Sequence, residues 1–149
     1  MKSSHHQHKF REERSIRTLI VDDSNLVRTM LMDFLKSLPG MEVIGAASDG
    51  KDALKVMALR PADLVVMDLN MPLMDGLETM QRIREQHPAT RVLLMSMSCT
   101  AEMKARALKA GADAFISKEE IHEKLMEAIA LLFPGSEPVG PEPGNQGSR

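Results

Sequence analysis

The sequence predicts an α/β protein: an open, doubly wound sheet of five parallel strands with helices on both faces. Three observations predict it. Five short apolar runs alternate with five stretches of helical apolar spacing, and strand–helix–strand alternation gives parallel pairing through right-handed crossovers. The run Leu64–Asp68 (LVVMD) is apolar without alternation, as in a strand buried on both faces. With 149 residues the chain falls far short of an eight-fold barrel.

The first strand is the compact run Arg17–Val21, which ends at Asp22-Asp23. A helix over Asn25–Leu38 follows, with Leu26, Val27, Met30, Leu31, Phe34, Leu35 and Leu38 at helical spacing. Ser24 caps its start and Pro39-Gly40 stops it. Met41–Ala47 is the second strand, and Asp49-Gly50 opens a helix to Leu59, with Pro61 beyond its end. Leu64–Asp68 is the third strand. Gly76–Gln86 is a helix with Asp75 and Glu78 spaced as a capping pair. Arg91–Ser96 is the fourth strand, and the alanine-rich stretch Ala101–Ala110 is a helix ending at Gly111. Ala114–Ser117 is a short fifth strand. Lys118–Phe133 is the last helix, with Ser117 and Glu120 spaced for a capping box.

The ends differ from this middle. Residues 1–15 hold His5, His6 and His8 in a charged, nearly non-apolar stretch, and residues 134–149 are rich in proline and glycine. Both are expected to be disordered tails, because they carry too little apolar surface to offset ordering entropy. One folded domain is expected over 16–133. Lys and Arg total 19 against 21 for Asp and Glu, for a formal charge of -2; that balance argues against direct nucleic-acid binding held by net positive charge. There is no Trp or Tyr from which to build a base-stacking platform. The 13 methionines read as fillers of an irregular core. The single Cys99 suggests a reducing compartment, no apolar run reaches the ~18 residues of a membrane span, and the polar N-terminus is no secretory signal. These features predict a soluble, cytoplasmic protein.

Open α/β sheets place their sites at the carboxyl ends of the strands. Here those ends carry Asp22 and Asp23, Asp68 with Asn70 just beyond, Ser96, and Lys118. Singly, each reads as an ordinary loop charge, cap or surface residue. Together they bring three carboxylates, a hydroxyl and an ammonium to one rim. Carboxylates that close repel, so either some protonate or a cation neutralises them. An all-oxygen set with no Cys or His suits Mg²⁺ and not zinc. Mg²⁺ with a lysine and a hydroxyl is a device for holding a phosphoryl group, and Asp68 itself can act as the nucleophile of an acyl phosphate.

The segments LIVDDS (19–24), VVMDLNMPLMDGLE (65–78), VLLMS (92–96) and GADAFISK (111–118) resemble, in order and spacing, the receiver domain of bacterial two-component response regulators. The resemblance covers the whole folded part. It implies the flavodoxin-like strand order 2-1-3-4-5 and a phosphoacceptor role for Asp68, supplied by a histidine kinase or a histidine phosphotransfer protein. It implies that Asp23, Asp68 and the backbone carbonyl of Asn70 bind Mg²⁺, with Asp22 acting through water. Lys118 would pair with the phosphoryl group, Ser96 would be the switch hydroxyl, and Phe115 the aromatic that turns inward when Ser96 moves. The chain would then not be an enzyme on external substrates, only assisting its own phosphorylation and dephosphorylation. Two positions depart from the family pattern. Met97 stands where a small residue is usual and is expected to narrow access to Asp68. Glu119 stands where a cis proline is frequent, and a non-proline peptide prefers trans.

The resemblance also implies a readout through the 101–133 face to a downstream protein or a second copy of the chain. That face carries Glu102, Lys104, Arg106 and Lys109, with Met103 as an apolar anchor. With no output domain after Phe133, the expectation is a stand-alone, chemotaxis-type phosphorelay module. The segment 65–78 looks most like receivers that precede a helix-turn-helix domain, so a receiver part of such a transcriptional regulator is one alternative. A pseudo-receiver that binds partners without phosphorylation is another, opposed by the intact Asp22, Asp23, Asp68, Ser96 and Lys118 set. A haloacid-dehalogenase-type phosphatase would need an acid where Asn70 stands.

Overall fold

The computed structural model describes residues 15–135. The two expected tails, and with them His5, His6 and His8, lie outside the described residues apart from their innermost positions. Five strands form one parallel sheet: β1 (Ile16–Val21), β2 (Met41–Ala47), β3 (Leu64–Asp68), β4 (Arg91–Ser96) and β5 (Ala114–Ser117). Their spatial order is β2-β1-β3-β4-β5, so the sequence reversal between β1 and β3 opens a crevice at the carboxyl edge. Five helices connect and complete them: α1 (Asn25–Lys36), α2 (Gly50–Leu59), α3 (Gly76–Gln86), α4 (Ala101–Lys109) and α5 (Ile121–Leu132).

The period of two along each central strand divides the core in two. Val65, Met67, Val92 and Leu94 face one cluster with Ala53 and Met57 of α2, Met80 and Ile83 of α3 and Ala107 of α4. Leu64, Val66, Leu93 and Met95 face the other, with Leu31 and Leu35 of α1 and Leu125 and Ile129 of α5. Thus β3 is buried at all five positions, as its unbroken apolar run predicts.

The helix starts are set by side chains that accept orphan backbone N–H groups. Ser24 accepts from Val27, Asp49 from Asp52, Asp75 from Glu78 and Thr100 from Met103. Thr100, directly before the helix, is a cap that the alanine-rich pattern alone does not reveal. Five boundaries differ from expectation, two of them by a single residue at a helix end: α4 stops at Lys109 and α5 at Leu132. β1 begins one residue earlier, at Ile16, whose N–H bonds Gly40 O at 2.8 Å. α1 ends at Lys36, because Ser37 and Leu38 close the end in tight turns (Leu38 N–H to Leu35 O, 3.1 Å) while Leu38 stays buried. The last helix is preceded by a 3₁₀ turn, Lys118–Glu120. There Ser117 accepts from Glu119 at 3.2 Å, so the expected Ser117–Glu120 capping box does not form, and α5 has no side-chain cap. No cis peptide bond occurs among the described residues, Lys118–Glu119 included.

Candidate functional site

Each carboxylate is placed by the strand before it and fixed by the backbone after it. β1 delivers Asp22, which is fully buried, and its Oδ1 accepts the Ser24 N–H at 2.8 Å. The Asp22 carbonyl accepts from Arg28 of α1 at 2.7 Å, tying the β1–α1 loop to the helix. Asp23 is exposed beside it. β3 delivers Asp68, 4% exposed, whose Oδ1 accepts the Asn70 N–H at 3.1 Å. Behind it the Leu69 N–H bonds Met95 O of the neighbouring strand, and Gly76 N–H returns to Leu69 O. Gly76 is glycine for a steric reason: a Cβ there would sit 2.6 Å from the Asp68 carbonyl oxygen.

The three carboxylates converge. One oxygen each from Asp22, Asp23 and Asp68 lie within 4.8 Å of one another. Lys118, at the end of β5, spans two of them: its Nζ is 2.7 Å from Asp22 Oδ2 and 3.2 Å from Asp68 Oδ2. Asp22 Oδ2 is buried, and the Lys118 ammonium is its one close polar partner among the described residues, at imperfect alignment. Burial, and then the Asp22 charge, push the Asp68 carboxyl above its ordinary range, against the pull of Lys118 and the Asn70 N–H. Burial would depress the Lys118 ammonium, but the hydrogen bond and charge of Asp22, and those of Asp68, hold it above its ordinary value. An under-satisfied buried oxygen among three carboxylates is an all-oxygen donor set that fits a hard divalent cation.

Ser96 ends β4 at this edge, 1% exposed, with its Oγ accepting the Ser98 N–H at 3.2 Å. Asn70 is exposed on the β3–α3 loop. Asp22, Asp23, Asp68, Asn70, Ser96 and Lys118 are therefore brought to one edge. Phe115 is not at that edge; it is buried in the middle of β5, packed in the cluster with Val92, Leu94 and Ala107. It already occupies an inward position. Met97, directly after Ser96, is 65% exposed. One expectation is corrected. Met103 is half-buried against the core and is no free anchor; the exposed apolar residues of the α4–β5–α5 face are Leu108 and Leu131. Sequence reasoning also missed Gly76 and the Arg28 tie. The only local signal for either was a glycine opening a helix.

An open parallel α/β sheet with a carboxylate–ammonium cluster at its carboxyl edge defines a class of protein that handles a small anion beside a cation. Comparison with known proteins narrows the class. The family model for the response regulator receiver domain matches residues 18–130, and the chain belongs to that family. It is 45% identical over 107 residues to a protein-glutamate methylesterase/protein-glutamine glutaminase of Geobacillus kaustophilus, covering 70% of this chain and 30% of that protein. It is 33% identical over 131 residues to the response regulator GacA of Pseudomonas viridiflava, covering 88% of this chain and 61% of that one. The chain thus spans from under a third to three fifths of these relatives' length. Among solved structures, the response regulator domain of Thermotoga maritima CheB is similar with a TM-score of 0.73 at 33% identity, over 80% of this chain and 96% of that one. A chain of the CheX-CheY-BeF3-Mg+2 complex of Borrelia burgdorferi is similar with a TM-score of 0.73 at 29% identity, over 79% of this chain and 89% of that one.

Proposed function

We propose that this receiver domain is a phosphoacceptor switch in which Asp68 takes a phosphoryl group from a phosphohistidine of a histidine kinase or phosphotransfer protein. The observation that carries this reading is the meeting of Asp22, Asp23 and Asp68 with the Lys118 ammonium at the carboxyl edge. In the reaction an Asp68 carboxylate oxygen attacks phosphorus, an O–P bond forms and the P–N bond breaks. Its electron pair leaves with the imidazole, which takes a proton in turn.

Asp23, Asp68 and the Asn70 carbonyl would hold Mg²⁺, with Asp22 acting through water; bound there, the ion neutralises charge on the phosphoryl oxygens. Lys118 already lies against Asp68 and pairs with the new anion. Ser96 turns from accepting the Ser98 N–H to donating to a phosphoryl oxygen, which moves the β4–α4 loop. With Phe115 already inside, the loop and not a ring flip sets the switch, and Phe115 holds the inward side of it. The readout is the α4–β5–α5 face, met by a downstream protein or a second copy of the chain. The similar structure solved as a CheX-CheY-BeF3-Mg+2 complex supports a Mg²⁺ site in this fold by analogy.

In this reading the unit over 16–133 acts as a signalling switch, and any chemistry on external substrates falls to other domains. The lengths of the curated relatives favour a second reading, in which the same switch is the receiver part of a larger regulator.

Intact-mass spectrometry after incubation with Mg²⁺ and acetyl phosphate tests the proposal. Wild type gains one phosphoryl group and Asp68→Ala gains none. Equal gain in both, or none in wild type with any donor, contradicts it.

A further inference from the structure

Among the described residues, three of the six exposed large apolar side chains lie in segments that each follow a different strand end at the carboxylate site. Leu26 is 78% exposed in the first turn of α1, Met97 is 65% exposed directly after Ser96, and Leu73 is 92% exposed in the loop after Asp68. Leu73 differs from the other two in its backbone. It is the single non-glycine residue among the described residues with positive φ, at 70°. An apolar γ-branched residue gains nothing locally from that conformation, which favours Gly or Asn.

The loop does not leave Leu73 there by looseness. On one side Met71 is 8% exposed and packed in the inner core. On the other, Met74 is half-buried, its sulfur so near Gly50 that a Cβ there would come within 3.3 Å. Asp75 then caps α3 and Gly76 N–H returns to Leu69 O. Two methionines point in, and the leucine between them is held out in a strained conformation, five residues from Asp68. Strain of this kind persists where the surrounding structure imposes it, and it marks a candidate for function.

The proposed chemistry says what would meet that side chain. Asp68 is only 4% exposed, at the floor of a rim formed by these loops. A protein donor must bring a histidine nitrogen, through phosphorus, to the Asp68 oxygen, so the surface around that histidine closes on the rim. A small donor reaches Asp68 with no such contact.

We propose that Leu73 is a docking residue for the protein phosphodonor, held outward by its left-handed backbone to enter an apolar recess beside the donor's phosphohistidine. The inference rests on the phosphoacceptor reading of Asp68 and adds the partner's surface chemistry to it. Leu73 touches no reacting atom, so it acts on donor affinity and not on the chemical step.

The test compares two phosphodonors with the same P–N bond. One is an autophosphorylated histidine kinase, taken as the fastest donor to wild type from a panel. The other is phosphoramidate, which has no protein surface. The variants are Leu73→Gly and Leu73→Asn, both suited to positive φ, so loss of folding does not confuse the result, and Leu73→Met as the conservative replacement. The expected outcome is a roughly tenfold lower kcat/KM from the kinase in the Gly and Asn variants, carried by KM, the size of a modest interface anchor. Leu73→Met recovers most of it, and phosphoramidate labels all four proteins at about the same rate. Kinase transfer unchanged in Leu73→Gly and Leu73→Asn overturns the proposal. So does a parallel fall with phosphoramidate, or a panel in which no kinase labels a wild type that phosphoramidate labels. Failure of phosphoramidate on wild type instead strikes the phosphoacceptor reading itself.

Discussion

The two edges of the sheet bury polar groups on opposite terms. At the amino edge the groups are paired to completion. Asp113, just before β5, accepts from the Val92 N–H at 2.8 Å and pairs with Arg84 and Arg91. Arg84, near the end of α3, also reaches Thr90 O at 3.1 Å and the Gly111 carbonyl. Thr90 donates to Ala62 O at 2.7 Å, and Asp63 accepts the Arg17 N–H at 2.8 Å. At the carboxyl edge three carboxylates converge, two of them share one lysine, and among the described residues a buried oxygen of Asp22 has no better-aligned partner. The same sheet carries both, although Arg17, Asp63 and Arg91 are partly in water whereas Asp22 and Asp68 are buried. The difference is that partnered groups stabilise a fold, whereas a surplus of one sign at a buried edge is an all-oxygen donor set that suits a cation. Stability and function are separated by the length of a strand.

The comparison breaks if the amino edge proves dispensable. Arg84→Met leaves the half-buried Asp113 carboxylate with the weaker Arg91 contact and frees two carbonyls. It is expected to cost about 2–3 kcal/mol, read as a lower urea midpoint at unchanged slope. A loss below about 0.5 kcal/mol would place Arg84 among ordinary surface charges.

A carboxyl-edge substitution should run the other way. Asp68→Asn removes one of three repelling charges, so the metal-free protein should gain about 1 kcal/mol, and saturating Mg²⁺ should cancel the gain. The pH dependence sharpens this. Asp68 holds its proton more tightly in the folded chain than its ordinary value of 3.8 implies. Metal-free wild type therefore loses stability as pH rises from 3.8 through the raised folded value, and Asp68→Asn flattens that slope. Lys118 acts in a separate window: its contribution is complete below 10.5 and lost only as pH rises through its higher folded value. Thermal unfolding across pH in a chelator checks both. A wild-type slope that survives Asp68→Asn contradicts the assignment.

Much of this contrast was legible in the residues. Leu64–Asp68 read correctly to the residue because an unbroken apolar run between polar punctuation admits one strand. Asp22, Asp23, Asp68, Ser96 and Lys118 were legible because each follows such a run, and the parallel topology brings all strand ends to one edge. The amino edge was not. Arg84 meets Asp113 across 29 residues, and neither position differs locally from a solvated charge. The register shift between Thr18 and Leu19 in the β1–β2 pairing leaves no mark in the hydropathy pattern. The 3₁₀ turn at Lys118–Glu120 was read as α-helix because three residues are too few to show a period. Leu73 was hidden because positive φ at a leucine is imposed by Met71 and Met74, not preferred by Leu73 itself.

The most direct test of the central claim locates the phosphoryl group. Wild type would be incubated with Mg²⁺ and acetyl phosphate, reduced with borohydride, which converts an aspartyl phosphate to homoserine, and sequenced by tandem mass spectrometry. The account predicts homoserine at position 68 and unmodified aspartate at 22 and 23. Homoserine at 22 or 23, or a phosphoryl group that resists reduction and maps to a hydroxyl, would contradict it.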